Sequence, residues 1–139
     1  MYLYHTQKVE GAILLIDRDL GFLFWLGRVL DQGGFDAFPA KSIPDAEALI
    51  AEFQLSIGLL ILNCALSGAQ EFIANMRQGH KDLKAIALLS PGQLTVVPPN
   101  VDAVCHKPTE IHAASKIIWL ETVRQVCGIP VENSASHQA

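Results

Sequence analysis

The residues most able to do chemistry in this chain stand where apolar runs stop. Ala12-Ile13-Leu14-Leu15-Ile16 stops at Asp17-Arg18, and Ile57–Leu62 stops at Asn63. Ala85-Ile86-Ala87-Leu88-Leu89 stops at Ser90, and Val101–Cys105 leads into His106-Lys107-Pro108. An acid, a guanidinium, an amide, a hydroxyl and an ammonium are thus placed at comparable points of successive segments. A carboxylate at the second of these points would be able to attack a phosphoryl donor and carry an acyl phosphate. The amide of Asn63 can do neither.

Other chemistries find less support. His5, His80, His106, His112 and His137 have no metal-ligand spacing. The three cysteines, Cys64, Cys105 and Cys127, are scattered, odd in number and outside any C-x-x-C pattern, as expected of buried reduced thiols. Cys64 stands beside Asn63 without an activating base in view. No Ser/His/Asp set, Gly-rich phosphate loop or dinucleotide fingerprint is present. The expectation is a non-enzymatic chain with no cofactor and no resident metal.

The runs imply the elements that hold these residues. Unbroken apolar strands with little alternation are covered on both faces, as in parallel sheets. Asp36-Ala37-Phe38, between Gly34 and Pro39, is a weak further strand. Helix-length segments lie between the runs. Asp19–Gln32 ends at Gly33-Gly34, and Ile43–Phe53 follows Ser42 as cap with Pro44 in its first turn. Asp45, three residues after Ser42, completes an approximate capping box. Ala69–Gln78 carries Phe72, Ile73 and Met76 at core spacing, and Thr109–Val126, opening at Pro108-Thr109-Glu110, is the longest helix. The alternation predicts an α/β fold, a doubly wound five-stranded parallel sheet. Pro91–Asn100, with Pro91, Gly92, Pro98 and Pro99, cannot hold a normal helix of any length. In such sheets ligands bind outside the carboxyl ends of the strands, so the polar residues that end the runs would converge.

At 139 residues the chain fits one domain with a full core. Half the residues are apolar and the net charge is −4, a globular profile with no basic stripe for nucleic acid. The longest apolar stretch is too short to span a bilayer. The start, Met1-Tyr2-Leu3-Tyr4-His5, lacks a signal-peptide pattern, so a cytoplasmic location is expected. The predicted organisation is an N-terminal arm over 1–10, one domain over 11–127 and a polar, disordered tail over 128–139.

From Gly11 to Cys127 the chain resembles the receiver domain of two-component response regulators. The resemblance rests on Asp17 after the first strand, Ser90 after the fourth and Lys107-Pro108 after the fifth. In that family an acidic pair after the first strand binds Mg²⁺. An Asp ending the third strand takes a phosphoryl group from a histidine kinase, and the hydroxyl and Lys contact that group. The resemblance implies a flavodoxin-like fold, and this chain departs from the family at several points, a short or irregular fourth helix over Pro91–Asn100 among them. Arg18 replaces the second acid and Asn63 the phosphoacceptor. Ser67 replaces the usual Pro in the following loop, although Gly68 fits, and Val104 replaces the aromatic residue of the fifth strand. If the Arg18 guanidinium sat about 4 Å from the ion, it would add repulsion of about 4 kcal/mol per unit of ion charge, at an effective dielectric of about 20.

The resemblance therefore implies a degenerate phosphorylation pocket formed by Asp17, Arg18, Asn63, Ser90 and Lys107. The expected role is a phosphorylation-independent signalling or protein-interaction module in a two-component or phosphorelay pathway. Within the pocket, either Arg18 or Lys107 would form a fixed ion pair with Asp17, or Arg18 would point to solvent, or Arg18 and Lys107 together would hold a small anion. Two other readings stay open: a phosphotransfer domain with an unusual acceptor, and a small-molecule sensor on the same scaffold. An excess of apolar residues marks the interaction surface. Leu23 and Phe24 on the first helix are expected to face outward, or to pack under Tyr2 and Tyr4. Ile117, Trp119, Leu120 and Val123 exceed the single stripe the last helix needs. Receivers commonly dimerise through the neighbouring face, so a protein partner or a homodimer through the last helix is expected.

Overall fold

The computed structural model describes residues 11–90, 100–108, 111 and 113–129. The described elements run β1 (Ala12–Ile16), α1 (Leu20–Gln32), β2 (Ala37–Ala40), α2 (Ile43–Phe53), β3 (Ile57–Asn63), α3 (Ala69–Gly79), β4 (Lys84–Leu89), β5 (Ala103–His106) and α4 (Ala113–Val126). All pairings are parallel, in the order β2-β1-β3-β4-β5. This is the doubly wound parallel sheet that the apolar runs predict, in the flavodoxin-like form that the resemblance implies.

The strand residues alternate between two cores. Leu14, Ile16, Leu60 and Leu62 face α2 and α3, packing with Ile43, Ala46, Phe72 and Ile73. Ile13, Leu15, Leu59, Ile61, Ile86 and Leu88 face α1 and α4, packing with Leu26, Leu30, Trp119 and Val123. Full burial of each such side chain contributes about 1.5–3 kcal/mol, so both faces of the central strands are strongly driven inward. Apolar residues at successive strand positions satisfy both faces at once, which is why the runs show no polar alternation.

Local signals set the element ends. Asp19 caps α1 by accepting from Phe22 N–H at 3.1 Å, and Ser42 Oγ caps α2 by accepting from Asp45 N–H at 3.2 Å. Gly11 enters β1 at φ +95°, where a Cβ would lie 2.7 Å from Ser56 O, so only glycine fits there. Edge strand β2 is longer than its weak sequence signal and contains Pro39. Its ladder contacts to β1 include Asp36 O accepting from Ile13 N–H and Ala40 O from Asp17 N–H. Residues 36, 38 and 40 therefore address β1, and the missing N–H of Pro39 lies on the free side.

The expected interaction surface needs three corrections. Leu23, expected outward, is completely buried, and so are Trp119 and Val123. The reason is that α1 packs against the sheet and also against α4, so its buried stripe is wide enough to take in both Phe22 and Leu23. The Phe22 and Trp119 rings meet at 6.2 Å between centroids. Leu120 is half-buried, with Cδ2 only 2.5 Å from where a Cβ on Gly33 would begin. The sheet-facing stripe of α4 is Ser115, Trp119 and Val123, one residue per turn. Phe24 at 56% exposure and Ile117 at 58% do face outward, as does Ile118.

The packed domain continues two residues past Cys127. Gly128 adopts φ 74°, and Ile129 donates its N–H to Arg124 O and packs against the α1–α4 core. The predicted arm over 1–10, the Pro91–Pro99 stretch, the Thr109-Glu110 helix start and the rest of the tail lie outside the described residues. Leu23→Ala is expected to lower unfolding stability by about 2–5 kcal/mol, whereas Phe24→Ala should change it by less than about 0.5 kcal/mol. Urea denaturation of the two variants checks the assignment of one to the core and the other to the surface.

Candidate functional site

The strand ends deliver their polar residues to one rim of the sheet. Asp17, one residue past β1, is 1% exposed, although it is a carboxylate. A buried charge at this depth needs compensation on each oxygen. Its Oδ1 accepts from the Arg18 backbone N–H at 2.7 Å and from Asn63 Nδ2 at 3.2 Å. Its Oδ2 accepts from Lys107 Nζ at 2.8 Å. Lys107 is set at this level by its own N–H, which donates to Leu89 O at the end of β4.

Asn63 has a single self-consistent orientation. Its Oδ1 accepts from Ala65 N–H at 2.9 Å, while Nδ2 donates to Asp17. Reversing the amide would place an oxygen against the Asp17 carboxylate and an N–H₂ against the Ala65 donor. The residue therefore closes the β3–α3 turn with one end and compensates a buried acid with the other. Neither end is a nucleophile.

Of the expected pocket residues, Asp17, Asn63 and Lys107 are joined directly. Arg18 is exposed and touches Asp17 through its backbone N–H, so Lys107 is the ion-pair partner. Ser90 follows β4 on the same rim and is half-buried. Two further participants were not singled out from the sequence. Asp19 Oδ2 lies 3.7 Å from Lys107 Nζ, and the Phe22 ring lies under the ammonium at 5.4 Å from its centroid. The signal for Asp19 was its place one residue before the helix, where a capping acid stays near the strand end. Among the described residues no buried side-chain nitrogen or oxygen lacks a hydrogen-bond partner, and no group of three or more His, Cys, Asp or Glu is placed to hold a metal.

The thiols do not add a nucleophile. Burial pushes Cys64 and Cys105 above the ordinary thiol value, with a hydrogen bond from Thr122 partly offsetting the shift at Cys105. Cys127 is raised to about 11 by burial, with Lys84 opposing and Asp102 adding to the shift. A shallow groove of about 360 Å³ lies between α1, β2 and α2, with Leu20, Phe24, Pro39, Ala40 and Leu49 in its lining. The exposed ring of Phe24 thus borders a concavity.

A five-stranded parallel sheet in this order, with its polar residues gathered at the carboxyl rim, is the fold of response regulator receiver domains. The structure is similar to a receiver domain from Methanospirillum hungatei, with a TM-score of 0.67 and 18% identity over 84% of this chain and 93% of that one. It is similar also to a response regulator from Chloroflexus aurantiacus, with a TM-score of 0.63 and 18% identity over 85% and 98% of the two chains. Against NtrX from Brucella abortus the TM-score is 0.63 at 17% identity, covering 85% of this chain and 27% of NtrX, so the chain spans about a quarter of that protein. No family model and no curated protein matches the sequence. Among the described residues no helix is long and apolar enough to cross a membrane.

Asp17→Asn should cost about 3 kcal/mol of stability, because it leaves the Lys107 ammonium facing an amide in a largely buried site. Urea denaturation measures the loss, and an unchanged midpoint would show that the pair has no structural weight.

Proposed function

We propose that this chain is an atypical response-regulator receiver domain that acts without phosphorylation, as a signalling and protein-interaction module and not as an enzyme. The observation that carries the reading is the state of Asn63. The residue at the end of β3 is an amide with both ends engaged, one on Asp17 and the other on Ala65 N–H. The cation that would meet an incoming phosphoryl group, Lys107, is already paired with Asp17. Arg18, Ser90 and Lys107 thus belong to a pocket that keeps the outline of a phosphorylation site without its reacting group.

Incubation with a small acyl phosphate donor and Mg²⁺, followed by intact mass spectrometry, should give no phosphate adduct. A stoichiometric adduct on a pocket residue would overturn the reading and favour phosphotransfer through an unusual acceptor.

Output then depends on a surface that does not switch. The outward face of α4 offers Ile117 and Ile118, with Ile111 just before the helix, each at least half exposed. Leu120 lies at the edge of that face, and Phe24 supplies a second exposed apolar residue on α1. Isoleucines grouped on one helix face suit a protein partner, a second copy of the chain included. Sedimentation velocity should show self-association or partner binding that Ile117→Glu abolishes while thermal stability is kept. Unchanged association in Ile117→Glu would move the contact away from α4.

A further inference from the structure

Receiver sites are built to hold a divalent ion, and the residues of this one do not fit it. Mg²⁺ takes several oxygen ligands in near-ideal octahedral geometry and keeps them close. Here Asp17 Oδ1 already accepts two N–H donors, from Arg18 and Asn63. Asn63 Oδ1 is taken by Ala65, and the amide turns its hydrogens, not its oxygen, toward Asp17. Asp19 Oδ1 is taken by the Phe22 N–H of the helix cap. Of the oxygens on these three side chains, Asp17 Oδ2 and Asp19 Oδ2 remain, and both face one ammonium, at 2.8 and 3.7 Å from Lys107 Nζ.

That ammonium has the surroundings of a bound cation. Two carboxylates flank it, and the face of Phe22 lies 5.4 Å away on the apolar side. Its side chain is 13% exposed, so the charge is held largely out of solvent. Its chain position fixes it there: Lys107 N–H is tied to Leu89 O and the residue is followed by Pro108.

We propose that Lys107 is the resident cation of this site: its ammonium takes the place of a divalent metal, keeps metal out, and masks a latent divalent site made by Asp17 and Asp19. The inference deepens the reading of the pocket as one without a phosphoryl switch and rests on it. Its test uses no phosphodonor, so the two can fail separately. A lysine differs from a metal in one decisive way. It is covalently part of the chain, so the site is filled at every metal concentration the protein meets.

The test is titration with Mn²⁺ alone, followed by the electron paramagnetic resonance signal of the free ion. The wild-type chain should show no binding in the millimolar range. Lys107→Gln should bind Mn²⁺ at least about tenfold more tightly, because a charge of the same sign as the ion has been removed from beside the two carboxylates. Adding Asp19→Asn to that variant should abolish the gain. If Lys107→Gln does not fold, Lys107→Met keeps the stem packed on Phe22 and serves in its place, with folding checked by circular dichroism. Wild-type binding as tight as that of the variant would overturn the proposal, and so would a folded lysine variant that binds no better than wild type.

Discussion

The contact between Asp17 and Lys107 closes the rim of this sheet. Asp17 follows β1, the second strand in spatial order, and Lys107 follows β5 at the far edge. The lysine therefore reaches across the ends of β3 and β4, joining residues 90 apart in the chain. A carboxylate as deeply buried as Asp17 would be costly alone, and so would an ammonium held largely out of solvent. Each needs the other, and Asn63 needs Asp17 to occupy its amide. Remove the acid and the lysine, the amide and the Arg18 turn all lose their common acceptor.

The two helices on the same face of the sheet show how the chain divides its apolar residues. Helix α1 is greasy on more than one side because it has more than one neighbour. Phe22 and Leu23 meet that demand, and Trp119 and Val123 answer from α4. What is left over, Phe24 on one helix and Ile117 with Ile118 on the other, has no such neighbour among the described residues. An excess of apolar residues on a helix thus had two meanings here, a second packing partner inside the domain and a face left outside it.

The sequence made the sheet legible because buried parallel strands leave a blunt signature, an apolar run ended by a polar residue. Ala12–Ile16, Ile57–Leu62 and Ala85–Leu89 all carried it. The identity of the rim residues was legible for the same reason, since each run names the residue that follows it. Less could be read about which cation would reach Asp17. Arg18 is its chain neighbour and Lys107 is distant, yet the neighbour turns to solvent and the distant residue arrives, because strand order is a tertiary fact. The helix faces were harder still. Leu23 and Trp119 are oriented by a contact between α1 and α4 that no periodicity within either helix records. Asp19 was read as part of a helix start, and its second role depends on where the end of β5 comes to rest.

Pro39 has a consequence for how such a domain can meet copies of itself. A bare sheet edge is a template for another strand, and its outward N–H groups are the hooks. On β2 one of those hooks is missing, and the strand is only four residues long. The ladder to β1 loses nothing, since the donor would have pointed away from it. That side of the sheet is therefore a poor nucleus for the runaway strand stacking that leads to fibrils. Crowded chains of this kind are steered toward meeting through side chains on helices, where contacts are specific and can come apart again.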